Sequence, residues 1–153
     1  MPSIETRLTD LGIILPDAPA PAANYVPFVV TGNTVYISGQ ISQNSTGLIK
    51  GRLGADMDVP AGAEAAKACA VSLLAQLKKA CDGDLSRVVR VVKLTGFVNS
   101  TPEFIDQPKV VNGASDLLAT VMGDAGRHAR SAVSAASLPF GVAVEIEGIF
   151  EIR

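Results

Sequence analysis

From Tyr25 to Ile41 the chain reads YVPFVVTGNTVYISGQI, two runs of β-branched and aromatic residues around Thr31-Gly32-Asn33. That pattern predicts a β-hairpin with a tight turn. A different periodicity governs residues 61–80, AGAEAAKACAVSLLAQLKKA. Here Ala66, Cys69, Leu73, Leu77 and Ala80 recur at spacings of three and four, the apolar stripe of a helix that Asp58 is placed to cap. Asp82-Gly83-Asp84 stops this helix, and VVRVVKLTGFV follows as a strand in which nearly every position is apolar or β-branched. A second long helix is expected to begin near Thr101-Pro102-Glu103, to break around Pro108 and to resume through NGASDLLATVM to Gly123. The last 26 residues, His128 to Arg153, read as a closing hairpin.

Two shorter features complete the pattern. Ser3 to Leu11 can form a short helix with Ser3 as its N-cap and Ile4, Leu8 and Leu11 on one side. LPDAPAPAAN holds three of the nine prolines and predicts an extended linker, while the Gly-, Ser- and Asn-rich residues 42–58 predict a loop with at most a short strand. The order α–β–β–α–β–α–β–β suits an α+β sandwich: a mixed, largely antiparallel sheet with two main helices on one face, plus the short N-terminal helix. One domain over residues 1–153 is expected, with residues 1–20 as an N-terminal helical extension and proline-rich linker.

Composition adds a partner. Hydrophobic residues make up 48% of the chain and charged residues 18%, against about 25% charged in an ordinary soluble domain. One sheet face is left uncovered, and the surplus apolar surface is most simply buried against copies of the same chain. The net charge is −2 and the pI about 5.3, with no run of like charges, so a nucleic-acid partner is not expected. Cys69 and Cys81 lie 12 residues apart in one helical stretch, about 18 Å in a straight helix and beyond disulfide reach. They read as small buried hydrophobes in a reducing compartment. The N-terminus has no apolar core of a signal peptide and no apolar stretch approaches about 20 residues. A cytoplasmic chain without membrane contact is the expectation.

Candidate chemistry concentrates at the C-terminus. In VAVEIEGIFEIR, Val142, Val144, Ile146, Phe150 and Ile152 share one parity and should face a core, while Glu145, Glu147 and Glu151 share the other. If Ala132 pairs with Glu145 in a hairpin, Arg130 pairs with Glu147 and lies on the glutamate face. A guanidinium there could take a small carboxylic acid bidentately while a partly desolvated glutamate orients or deprotonates a water. Spacing alone favours the plainer reading, an ordinary cross-strand Arg–Glu ion pair on a solvated face. His128 is the sole histidine, so a multi-histidine metal site is excluded, and a structural role suits it. Ser38-Gly39-Gln40 ends a strand, either admitting a ligand to the backbone or simply entering a loop. Tyr25 and Tyr36 suit core aromatics with hydrogen-bonded hydroxyls. The glycines at 47, 51 and 54 form neither a P-loop nor a dinucleotide fingerprint, so no cofactor is signalled.

Tyr25 leading into GNTVYISGQI, then VVRVVKLTGFV, VNGASDLL and finally ARSAVSAASLPFGVAVEIEGI resemble, in this order, the Rid family, the YjgF-like reactive intermediate deaminases. The tail is the most specific part: Arg130, Ser131, Val133, Leu138, Pro139, Glu145, Ile146 and Glu147 all fit the family pattern. The resemblance implies a chorismate-mutase-like fold assembled as a homotrimer, with sites in the clefts between subunits. It implies Arg130 as the anchor for the carboxylate of an enamine or imine acid and Glu145 as the residue that positions the hydrolytic water. Tyr25, Ser38, Gly39 and Ala132 would line the same cleft, and the products would be a 2-keto acid and ammonia. Ala132 stands where the family often has cysteine, and His128 where proline is common. Those departures suggest a divergent branch. They keep open a non-catalytic protein that binds or senses a small carboxylate metabolite, and ribonuclease activity is a weaker third reading.

Overall fold

The structure, a computed structural model, describes residues 2–21 and 23–153. Helix α1 (Ile4–Asp10) begins where Ser3 accepts a hydrogen bond from the Thr6 amide. A linker without regular structure then leads to strands β1 (Phe28–Thr31) and β2 (Thr34–Ile41). Thr31 pairs with Thr34, which leaves Gly32-Asn33 as a two-residue turn, and Gly32 takes a φ of 57° that a side chain would strain. A small ribbon, β3 (Gln43–Asn44) and β4 (Gly47–Leu48), occupies the expected loop. Helix α2 (Val59–Ala80) starts at Asp58, whose carboxylate accepts from the Ala61 amide at 2.9 Å. Ala66, Cys69, Leu73 and Leu77 are fully buried along it.

Strand β5 (Val88–Asn99), helix α3 (Gln107–Met122), strand β6 (Ala129–Ala135) and strand β7 (Val144–Ile152) complete the domain. The second helix differs from the expectation at its start. Residues 101–106 are irregular, and α3 begins at Gln107 with Pro108 inside its first turn. A proline there costs nothing, because the amide it lacks would have no helical partner. Pro108 therefore starts this helix rather than breaking it.

The sheet runs β1-β2-β7-β5-β6. The expected closing hairpin does not form. Strand β6 pairs in parallel with β5, and β7 pairs antiparallel with both β2 and β5, so a whole strand separates β6 from β7. β5 is an interior strand with both edges paired, as its largely apolar sequence suits. Helices α2 and α3 pack on each other and on one face of the sheet. Val35, Leu94, Val98, Val144, Ile146 and Phe150 meet Leu73, Leu77 and Leu118 between the layers. No helix among the described residues is long and apolar enough to cross a membrane. No helix among the described residues packs on the opposite sheet face, and Tyr36 and Val133 there remain 48% and 44% exposed.

Candidate functional site

The first cluster grows from an irregularity in β2. Ile37 pairs with Gly148 and Gln40 with Ile146, so three steps along β2 oppose two along β7. The extra residue makes a β-bulge at Ser38-Gly39, which lets both residues turn toward the open face. Ser38 ties the preceding segment to this bulge: its amide donates to the Pro27 carbonyl and its hydroxyl to the Val26 carbonyl, both at 2.9 Å. That places Tyr25 beside it. The absence of a side chain at Gly39 has a specific use. A Cβ there would sit 3.0 Å from Cδ and Oε2 of Glu145, so the glycine makes room for the carboxyl group.

Glu145 is half-buried, and its carboxyl is pushed above the ordinary glutamate range, first by burial and then by the negative charge of Glu147. It lines a cavity of about 250 Å³ together with Pro19, Pro21, Tyr25, Ser38, Gly39 and Phe140. Behind the cavity, Gln76 on α2 donates to the Pro19 carbonyl at 2.7 Å and to Gln40 Oε1 at 3.4 Å, and Gln40 donates to the Ser38 carbonyl. Both glutamines are buried. They fasten the proline-rich linker to the rim through the core. Neither was picked out from sequence, although Gln76 is a polar residue within the buried part of α2.

Arg130 belongs to a second cluster. Its strand partner is Leu94, which in turn pairs with Gly148. Arg130 thus shares the helix side of the sheet with Leu94, opposite to Glu145 and Glu147, and the expected pairing with Glu147 is corrected. The guanidinium is satisfied without a carboxylate because β6 is an edge strand beside α3. Nη1 donates to Asn112 Oδ1 at 2.8 Å and to Ser115 Oγ at 3.2 Å, and Nη2 to the Pro108 carbonyl at 3.4 Å. The two ion pairs among the described residues are Arg87–Asp82 and Lys109–Asp106, so an Arg130–glutamate bridge is ruled out within the chain. Ala132 follows on the same side as Arg130. His128 stands next to it, with Nε2 2.9 Å from Ser115 Oγ and Nδ1 2.6 Å from the Gly126 carbonyl. Asn112 and Ser115 escaped the sequence reading, since nothing in NGASDLL signals which polar residues meet an arginine 15 or 18 positions later.

The two clusters stay apart within one chain. Arg130 and Glu145 are two strands apart and three residues out of register, about 14 Å between their Cα atoms from standard sheet spacings, and they face opposite sides. The structure therefore gathers Tyr25, Ser38, Gly39 and Glu145, but not Arg130 and Ala132, around one cavity. No group of histidine, cysteine and acidic side chains among the described residues is arranged to hold a metal.

The family model described as "YjgF/chorismate mutase-like, putative endoribonuclease" matches residues 5–147. Protein TCP17 from Trypanosoma cruzi is 50% identical over 98% of this chain and 94% of its own. The crystal structure of Atu1372 from Agrobacterium tumefaciens, a protein of unknown function, superposes with a TM-score of 0.92 at 54% identity over 98% of this chain and 92% of that one. RidA from the Antarctic bacterium Psychrobacter sp. PAMC 21119 aligns with a TM-score of 0.60 at 28% identity, over 89% and 94% of the two chains. The sandwich of helices on a mixed, mostly antiparallel sheet, the motifs of its last strands and these likenesses agree: the chain belongs to the YjgF/chorismate-mutase-like family.

Proposed function

We propose that the protein hydrolyses the C=N bond of small imino and enamino acids at clefts between copies of itself, most simply in a homotrimer. The observation that carries this reading is the half-buried carboxyl of Glu145, held above the ordinary glutamate range on the wall of a small cavity with Tyr25 and the Ser38-Gly39 bulge. A cavity of about 250 Å³ suits a metabolite of few heavy atoms. The uncovered sheet face and the exposed Ser131 and Val133 on edge strand β6 favour self-association. A neighbouring copy would then bring its own Arg130 to the Glu145 cavity, which one chain cannot do. The likeness to RidA supports the deaminase class.

In this reading Arg130 holds the substrate carboxylate, with Ala132 shaping the cleft beside it. A water near Glu145 adds to the imine carbon and gives up a proton to the carboxylate, whose raised pKa brings it closer to neutral and makes it a better base. Return of that proton to nitrogen gives the carbinolamine, and transfer of its hydroxyl proton to the amino group, again by way of the carboxylate, breaks the C–N bond to leave a 2-keto acid and ammonia. The test is ammonia release from freshly generated 2-aminoacrylate, with the assembly state followed in parallel. Arg130→Ala should abolish the acceleration while the oligomer persists; a folded mutant with full activity would sink the assignment. A second reading is favoured by Ala132 and His128, which stand where relatives often have cysteine and proline. It is a carboxylate-binding protein without turnover, and binding of 2-keto acids with no acceleration for any imine would select it.

A further inference from the structure

We propose that Ser115 and His128 complete the anion site of Arg130: the imidazole steers the Ser115 hydroxyl, the hydroxyl steers the guanidinium, and His128 takes up a proton when a carboxylate settles on Arg130. This inference rests on the reading of Arg130 as a carboxylate anchor and adds two positioning residues to it.

The hydrogen bonds fix the direction of the chain. The Gly126 carbonyl can only accept, so Nδ1 of His128, 2.6 Å away, carries the ring proton. In the neutral ring Nε2 is then an acceptor, and the single proton of Ser115 points to it across 2.9 Å. The Ser115 oxygen is left to receive Nη1 of Arg130 at 3.2 Å, while Asn112 takes the other hydrogen of Nη1. Nη2 has one long bond, to the Pro108 carbonyl at 3.4 Å. The free edge of the guanidinium is therefore Nε with Nη2, the pair that a carboxylate takes side-on.

The imidazole is half-buried and its affinity for a second proton is lowered, chiefly by burial; the hydrogen bond to the Gly126 carbonyl opposes this, and the charge of Arg130 adds a lesser lowering. Other charged groups on the surrounding elements are Asp116 on α3, Asp124 in the preceding turn, and Arg90 and Lys93 on β5. None of them hydrogen-bonds to the ring; Arg90 donates to the Val91 and Arg127 carbonyls instead. A carboxylate on Arg130 offsets the guanidinium charge and so makes the imidazolium cheaper. A protonated Nε2 would donate to Ser115 Oγ, which keeps that oxygen on Nη1 of Arg130 and releases the Ser115 proton to another acceptor. By reciprocity, whatever raises the proton affinity of His128 on binding also tightens binding when His128 is protonated.

The chain has a single histidine, so its ring resonances can be followed by NMR without assignment ambiguity. With pyruvate as the probe, the His128 titration midpoint should rise by about one pH unit at saturation, matched by roughly tenfold tighter pyruvate binding below the titration than above it. His128→Gln should keep pyruvate binding but flatten its pH dependence, and Ser115→Ala should leave a His128 titration that pyruvate moves far less. Pyruvate binding that is lost in Arg130→Ala, yet leaves the His128 midpoint unmoved in the wild type, overturns the inference alone. Pyruvate that fails to bind at any pH removes Arg130 as a carboxylate anchor and this inference with it.

Discussion

Gly113→Ala tests the packing that carries the second cluster. Gly113 lies on α3 between Asn112 and Ala114, and a Cβ placed on it would come within 1.9 Å of the Ala63 carbonyl oxygen of α2 and 2.7 Å of its carbon. Ordinary contact for that pair is ~3.3 Å, so the two helices must part by about 1 Å, and backbone cannot rotate away as a side chain would. The substitution brings its own benefit, about 1 kcal/mol for alanine over glycine inside a helix. Against it stand overpacking of 1–3 kcal/mol or more and the thinning of contacts at Val110, Ala114 and Leu117, since a gap of 0.5–1 Å forfeits a quarter to a half of each dispersion well. A net loss of about 2–3 kcal/mol follows. In a chain of this length that lowers Tm by roughly 4–12 °C, at ~2–4 °C per kcal/mol. The assay is thermal unfolding by circular dichroism at one fixed protein concentration, because association would otherwise move Tm by mass action. A Tm within about 2 °C of wild type would refute the reasoning, and would mean that α2 and α3 approach less closely.

Gly39→Ala should behave in the opposite way: its Cβ meets only the flexible end of Glu145, so Tm should change by less than ~3 °C while ammonia release falls at least tenfold; intact activity would detach the bulge from the site. Glu145→Gln removes a carboxyl whose folded pKa is raised by burial. The ionised form destabilises the fold, so stability from this group is present at low pH and is lost as pH rises through the raised pKa. The variant should therefore gain ~1–3 °C in Tm at pH 7, with the gain vanishing in acid, even as turnover is lost; a variant less stable than wild type at neutral pH contradicts it. Asp58→Ala removes the cap on the Ala61 amide at the start of α2. It should cost about 1 kcal/mol, or ~2–4 °C in Tm, with activity unchanged per folded molecule.

How much of this was legible before the fold was known follows the range of the interactions. The N-caps at Ser3 and Asp58, the Gly32-Asn33 turn and the apolar stripe of α2 are local chemistry, decided within a few residues, and each forms where the sequence places it. Pro108 misled because a proline has two meanings in a helix, and only the position of the first turn tells them apart. The last two strands misled for a longer-range reason. Strands that are neighbours in sequence usually pair, yet β6 and β7 are joined through Ser137–Gly141 without touching as a hairpin. β5, largely apolar or β-branched and 12 residues long, lies between them and takes an edge of each.

That competition decides the site as well. Had β6 and β7 paired, Arg130 and Glu147 would neutralise each other across one ladder, and neither would have reason to receive a ligand. Inserting β5 turns Arg130 to the helix side, where Asn112 and Ser115 hold it with neutral oxygens, and leaves Glu145 in a pocket whose desolvation favours its proton. Each group is satisfied without its charge being cancelled. The parity of Glu145 and Glu147 was readable from the sequence; the face of Arg130 was not, because an edge strand beside a helix supplies the polar partners that make a guanidinium tolerable on the core side. Separation of opposite charges inside one chain has a direct consequence for association. In the proposed assembly an anionic substrate between two copies would bridge an unneutralised cation of one and a proton-accepting carboxyl of the other, an attraction that a monomer would lack.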